Sequence, residues 1–287
     1  DLFVTLTADK ATVYVGEQVV VSFRFHRGAP LWQAPQYEAP RSEGFWREDL
    51  TPERGFSQVA GGRRYEVTEI RYALFPTRTG TLVVEPAEVV IPDDPFGHFF
   101  GDPRAVAGPR RLRTAPLSIT VRDLPAPRPA DFGGVVATRA EIALTPDRTQ
   151  VPRGEPVTLR LELTTDGFLK GWAGMPPLAP SGGRLLDAGE KLTMDNGGDR
   201  LLSRYQLERV FVPEQEGRLQ LPAQSFTYFD ARQGAYRTVR SAAVALAVLP
   251  SDQPRGDLEP LVGDDAARYS QGLAFQHDWS GRLRTRE

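Results

Sequence analysis

The sequence predicts an all-β protein built of two tandem immunoglobulin-like β-sandwiches, and three observations point there. Residues 6–25 recur as residues 144–163. Leu6, Asp9, Val13, Gly16, Glu17 and Val19 reappear as Leu144, Asp147, Val151, Gly154, Glu155 and Val157, with an offset of 138 throughout. Apolar residues alternate with polar ones in both copies, as in Val19, Val21, Phe23, Phe25 and in Val157, Leu159, Leu161, Leu163. That is the period of a strand with one buried face and one wet face. Finally, 27 glycines and 25 prolines punctuate the 287 residues, which suits many turns and few long helices.

Taken in order, Leu2, Val4 and Leu6 form a first strand, and a turn through Gly16 leads to the next. A residue with a Cβ would be strained there if φ is positive. Residues 28–63 are irregular and carry Trp32, Tyr37 and Trp46 among prolines and charges. A long strand over residues 65–75 follows the Gly61-Gly62 pair. A second repeat comes next: Pro76-x-x-x-Gly80 returns as Pro213-x-x-x-Gly217, each joining two strands. Closing strands run through Leu117, Ile119, Val121 and through Val244, Leu246, Val248. The first module carries an insertion of about ten residues at 92–103, which holds Phe96, Phe99 and Phe100. The plainer second module has a hairpin pattern at 226–236, and residues 195–199 read as another hairpin tip. With strands at turn spacings of about 8–12 residues, seven to nine short strands per module are expected.

The boundaries follow: 1–124 for the first sandwich, 125–131 for a Pro-rich linker, 132–250 for the second sandwich, and 251–287 for a tail with a short helix at 264–273. Pro125, Pro127 and Pro129 favour an extended, semi-rigid spacer that restricts the orientation of the modules.

Net charge is −2, from 35 basic and 37 acidic residues, so no global field would draw in nucleic acid or anionic lipid. The absence of cysteine removes disulfides, thiolate catalysis and thiolate zinc sites. No apolar run approaches the roughly 20 residues that span a bilayer. The chain opens at Asp1, as expected of a trimmed or mature form.

The catalytic search is negative. His26, His98 and His277 have no metal-site spacing, and no G-x-S-x-G, phosphate-loop or dinucleotide pattern occurs. Paired carboxylates such as Glu48-Asp49 and Asp93-Asp94 read as solvated surface. Arg255-Gly256-Asp257 reads as a chance triplet. No enzyme activity, catalytic residue, cofactor or metal is expected.

Two clusters remain as partner-binding candidates: Phe96, Phe99 and Phe100 in the inserted loop, and Trp32 with Trp46 in the irregular segment. Each has a bland reading. The phenylalanines would cover the open end of their own sandwich, and Trp46 would plug its core. The sharper readings are, for the Phe loop, a hydrophobic finger that meets a partner protein or a membrane surface and, for the Trp segment, a sugar-stacking platform. Arg110, Arg111 and Arg113 read as a solvated strand before an anion site. An exposed strand edge could also accept a partner strand.

The chain resembles the BatD proteins, the oxygen-tolerance (aerotolerance) family of bacterial envelope proteins. The likeness lies in Val15-Gly16-Glu17, the Pro76–Gly80 turn, the Phe96…Phe99-Phe100-Gly101 loop, Leu117-x-Ile119-x-Val121 and Asp123-Leu124-Pro125. It continues in Pro129-Ala130-Asp131-Phe132-x-Gly134 and Gly154-Glu155-Pro156-Val157. Thr165–Lys170 departs from it, standing where family members carry a Gly-x-Gly-Asn-like turn. The resemblance implies a non-enzymatic, membrane-anchored periplasmic module encoded beside MoxR-type ATPases. Its implied protein partner is a von Willebrand A-domain membrane protein, its implied role is in stress tolerance, and its implied membrane contact is an anchor outside this chain. The alternative is a carbohydrate- or peptidoglycan-binding β-sandwich.

Overall fold

Residues 2–31, 33–92, 108–178 and 180–251 are described by a computed structural model, and among them there is no helix. Strands β1 (Leu2–Ala8), β3 (Val19–Arg27), β6 (Arg63–Pro76) and β5 (Phe45–Ala60) form an antiparallel sheet in the order β1-β3-β6-β5. Facing it are two small sheets. One joins β2 (Thr12–Tyr14), β10 (Leu117–Arg122) and β7 (Gly80–Val84); the other joins β4 (Gln36–Glu38), β8 (Glu88–Ile91) and β9 (Arg110–Arg113). The second half repeats this plan. Strands β12 (Ala140–Pro146), β14 (Val157–Thr165), β16 (Leu202–Pro213) and β15 (Gly183–Asp195) make the large sheet. Strands β13 (Gln150–Pro152), β20 (Val244–Leu249) and β17 (Gly217–Leu221) make one small sheet, and β11 (Phe132–Ala137), β18 (Ser225–Asp230) and β19 (Ala235–Arg240) the other.

Each half thus has ten described strands instead of the expected seven to nine, and its second layer is split. The split has a local cause. Pro86 and Pro222 interrupt what would be one long strand, because proline lacks the N–H a ladder needs. The chain recovers by an exchange of hydrogen bonds at the break. Thr114 N–H donates to Ala87 O while Ala87 N–H donates to Thr114 Oγ1, both at 3.0 Å. Ser241 and Gln224 repeat that exchange at 2.9 and 3.0 Å.

The repeated motif of residues 6–25 has its own physical content. Val20 N–H donates to the Asp9 carboxylate at 2.9 Å, and Thr158 N–H to Asp147 at 3.1 Å, so each Asp holds the start of the next strand. Gly16 and Gly154 take φ of +82° and +84°, and their N–H groups donate to Pro76 O and Pro213 O at 2.8 Å. Gly80 and Gly217 sit at +105° and +106°. These four turns are the ones the sequence predicts.

Two further expectations fail. Residues 28–63 read as irregular, but β4 and the whole of β5 lie within them, and β5 pairs with β6 from Phe45 to Ala60 because the long strand supplies its backbone with a ladder. The alternation that buries Val19 and Val21 puts Val20 on the wet face, but it is buried between Leu50, Ala73, Phe75 and Leu201, the last from the second sandwich. The linker, expected to be extended and semi-rigid, is held by contacts to the second sandwich. Leu124 is buried against Val136 and Phe229, and Tyr236 Oη donates to Pro125 O at 2.8 Å, so the linker is docked along the second sandwich. The two halves form one compact unit over residues 1–249. The tail from residue 252 on lies outside the described residues, and so does its expected helix.

On the outer face of the first large sheet His26 stacks on Phe3, with ring centroids 4.2 Å apart and planes 8° from parallel. Its Nδ1 has no hydrogen-bond partner. Burial, and then the charge of Arg24, push the imidazole pKa below its usual 6.5. The folded state therefore favours neutral His26. Its contribution is full above the unfolded pKa and is lost as pH falls from about 6.5 towards the lowered folded value. The drop in melting temperature between about pH 7.5 and about pH 5.5 should be smaller in His26→Phe than in the parent. Equal drops would show that His26 contributes nothing to acid sensitivity.

Candidate functional site

The site is built where the two sandwiches meet, and it begins with one amide. Gln18 follows the Gly16 turn and is 2% exposed. Its Nε2 donates to Asp166 O at 2.7 Å and Leu201 O at 3.0 Å, and its Oε1 accepts from Leu201 N–H at 2.8 Å. The side chain thus satisfies three backbone groups of the other sandwich. Asp166 is buried beside it and accepts from Thr138 N–H, Thr138 Oγ1 and Arg139 N–H, which fixes the entry into β12. Arg200 completes the latch, donating to Asp9 Oδ2 at 2.8 Å and to Gln18 O at 2.9 Å.

A second contact lies further along. The 196–201 tip, which joins β15 to β16, docks on β5 at its bulge. Thr51 N–H donates to Asn196 O at 2.9 Å and Asn196 Nδ2 to Asp49 O at 3.0 Å. Arg71, 4% exposed, donates to Gly198 O at 3.1 Å, while Arg54 holds the Asp199 carboxylate at 2.6 Å. That hydrogen bond keeps the Asp199 carboxyl below its usual pKa. Desolvation pulls the Arg71 guanidinium below its own. The sequence-level reading of 195–199 as a hairpin tip is right, and docking is what the tip does.

Apolar contacts fill the rest. Phe168 packs on Phe75 with centroids 4.7 Å apart. Tyr14 meets Phe229 edge-on at 4.7 Å. Between these contacts the junction leaves a cleft of about 400 Å³. One wall is the Gly16 and Pro76 turns with Trp46; the other is Phe132 to Val136, Phe168 and Trp172. Trp46 is 60% exposed and stacks on Phe168 with centroids 6.0 Å apart and planes 24° from parallel. It does not plug the core. Trp172 is held edge-on by Tyr205 and Phe226, at 5.2 and 5.4 Å. Gly133 makes this possible, since a Cβ there would lie 2.6 Å from Trp172 Nε1. The ionisable groups on the cleft wall are Arg128 and Lys170, paired with Asp123 and Glu48.

The cleft can present aromatic surface to an apolar group. It offers no carboxylate, histidine or amide side chain for acid–base work or metal ligation. No group of three or more potential metal ligands occurs among the described residues. Of the sequence-derived candidates, Trp46 lies in this cleft. Trp32, Phe96, Phe99 and Phe100 lie outside the described residues. Arg111 and Arg113 both pair with Glu88, at 2.5 and 3.2 Å.

Sequence reasoning missed Gln18, Asp166, Phe168 and Trp172. A signal existed in the comparison of the two copies. Gln18 and Val20 stand where the second copy has Pro156 and Thr158, so the first copy has an amide and an apolar side chain at positions its twin leaves plain.

A family model described as "BatD DUF11 like domain" matches residues 6–121 and again residues 144–248. No curated protein matches the chain. Among solved structures, the adhesin InvE of Yersinia pseudotuberculosis is 12% identical over 86% of this chain, with a TM-score of 0.22. This chain spans 59% of that adhesin's length. The type II cohesin dyad from the ScaA scaffoldin of Acetivibrio cellulolyticus is 10% identical over 75% of this chain and 86% of its own, with a TM-score of 0.21. The Escherichia coli adhesin FdeC is 12% identical over 88% of this chain and 64% of its own, with a TM-score of 0.19.

Latch and cleft should separate by mutation. Gln18→Ala strands two carbonyls and an N–H in the interior and should cost about 2–4 kcal/mol in urea unfolding. Trp46→Ala, half out in solvent, should cost less than about 1 kcal/mol. Comparable losses for the two would mean that Trp46 is structural.

Proposed function

The chain belongs to the BatD family, and from that premise we propose that it is a non-enzymatic protein-interaction module of the bacterial envelope, whose two sandwiches act as one rigid arm. The observation that carries this reading is Trp46. It is held 60% exposed on Phe168 at the lip of an aromatic cleft. Large aromatics held in fixed positions on a concave patch are what protein interfaces use as anchors. The latch matters because a preorganised patch loses less entropy on binding.

The partner in this proposal is a von Willebrand A-domain membrane protein, met in the periplasm, with the full-length protein anchored in the membrane and contributing to oxygen and stress tolerance. The composition of the cleft favours a protein over a sugar. Sugar platforms commonly set carboxylates or amides beside the ring to accept from hydroxyls, and the cleft lining has neither, its polar side-chain groups being Thr77, Arg128, Lys170 and the indole N–H groups of Trp46 and Trp172.

The test is photo-crosslinking in the protein's own cells, with the photoreactive residue replacing Trp46 and, as control, exposed Arg218 on β17. One discrete protein adduct at Trp46 and none at Arg218 is the expected result. No adduct at Trp46, together with glycan-dependent quenching of tryptophan fluorescence that Trp46→Ala abolishes, would replace this reading with the carbohydrate one.

A further inference from the structure

We propose that the first sandwich holds a second, separate ligand site: an apolar cavity ending at Arg27 that takes a single alkyl chain with an anionic head. The duplication supplies the control. In the second sandwich the inward row Val157, Leu159, Leu161, Leu163 ends in Thr165, which is fully buried and donates to Arg139 O at 2.8 Å. Leu169 and Leu178 join the same core, and that core is one continuous cluster. In the first sandwich the inward row Val19, Val21, Phe23, Phe25 ends in Arg27, at the place of Thr165. The core there is divided into two clusters. A cavity of about 320 Å³ remains, walled by Phe23, Phe25, Tyr37, Ile70 and Val89.

Arg27 lines this cavity, and its Nε is buried without a hydrogen-bond partner. Of the buried unpartnered polar atoms among the described residues, it alone belongs to the lining. Its cross-strand neighbour Glu66 is engaged by Ser57 Oγ at 2.6 Å instead. The Tyr37 and Tyr72 hydroxyls are bonded to each other. Arg27 is half-buried, so the unmet group is its buried Nε–H; such a donor at a cavity wall is costly, and an anion arriving with apolar substance behind it removes that cost. The volume lies at the low end of ligand pockets, about 300–1,000 Å³, which suits one alkyl chain of medium length. Glu53 also lines the cavity, so it disfavours a second negative charge.

The test is titration calorimetry of the whole chain with dodecanoate, dodecyl phosphate and dodecanol, below their aggregation limits. Dodecanoate should bind one per chain and dodecanol more weakly. Arg27→Gln, which breaks no hydrogen bond or ion pair, should weaken dodecanoate about tenfold or more. Val89→Trp should fill the cavity and abolish binding, and Glu53→Gln should tighten it. Trp46→Ala, in the junction cleft, should leave binding unchanged, which keeps this site distinct from the partner surface. Tighter binding of dodecyl phosphate than of dodecanoate would support the site and assign its head to a phosphate lipid. No saturable binding, equal binding in Arg27→Gln, or loss in Trp46→Ala would each overturn it.

Discussion

The Gln18 amide bridges two sandwiches by completing the backbone hydrogen bonds of a neighbour that has no strand to offer there. Its three bonds go to main-chain groups, so the contact is indifferent to the side chains at Asp166 and Leu201 but strict about their position. A buried amide with every group paired is stabilising only in that geometry, because an unpaired carbonyl in the interior is expensive. The other contacts follow from this registration. Arg200 reaches Asp9, the 196–201 tip reaches β5, and Phe168 lands on Phe75. The cleft is what these contacts leave unfilled.

Asp9 shows how a repeated residue acquires a second role. One of its oxygens does what Asp147 does in the other copy, accepting from the strand that follows. The other accepts from Arg200 across the junction. The outer face of the first large sheet is altered in the same way: Val20, Ala73 and Phe75 are buried there, whereas Thr158, Val210 and Val212 of the second copy are half-exposed. Duplication therefore supplied two sandwiches, and substitutions on one outer face joined them.

The copies also diverge at the ends of their cores. Thr165 closes one end with a hydrogen bond to its own backbone neighbourhood, while Arg27 occupies the matching place beside a cavity. The BatD family assignment covers both copies but does not distinguish them. What distinguishes them is confined to a few positions on each surface, and those positions line the junction cleft and the Arg27 cavity.

By itself the sequence determined the all-β class, the duplication, and the Gly16, Gly154, Pro76–Gly80 and Pro213–Gly217 turns. Each of these depends on local chemistry: alternation, a positive φ, a missing N–H. Trp46 was legible as an unusual aromatic, but whether it faced core or solvent was not, since both readings fit the same residues. The split second layer went unread because Pro86 and Pro222 take their meaning from the Thr114 and Ser241 groups that bond beside them. Tertiary structure alone decided that Val20 is buried, that the prolines of the linker lie docked on the second sandwich, and that residues 166–172 form a wall of the cleft. The reason is physical: strand period reports which residues share a face, and only the packing of a second body decides whether that face meets water.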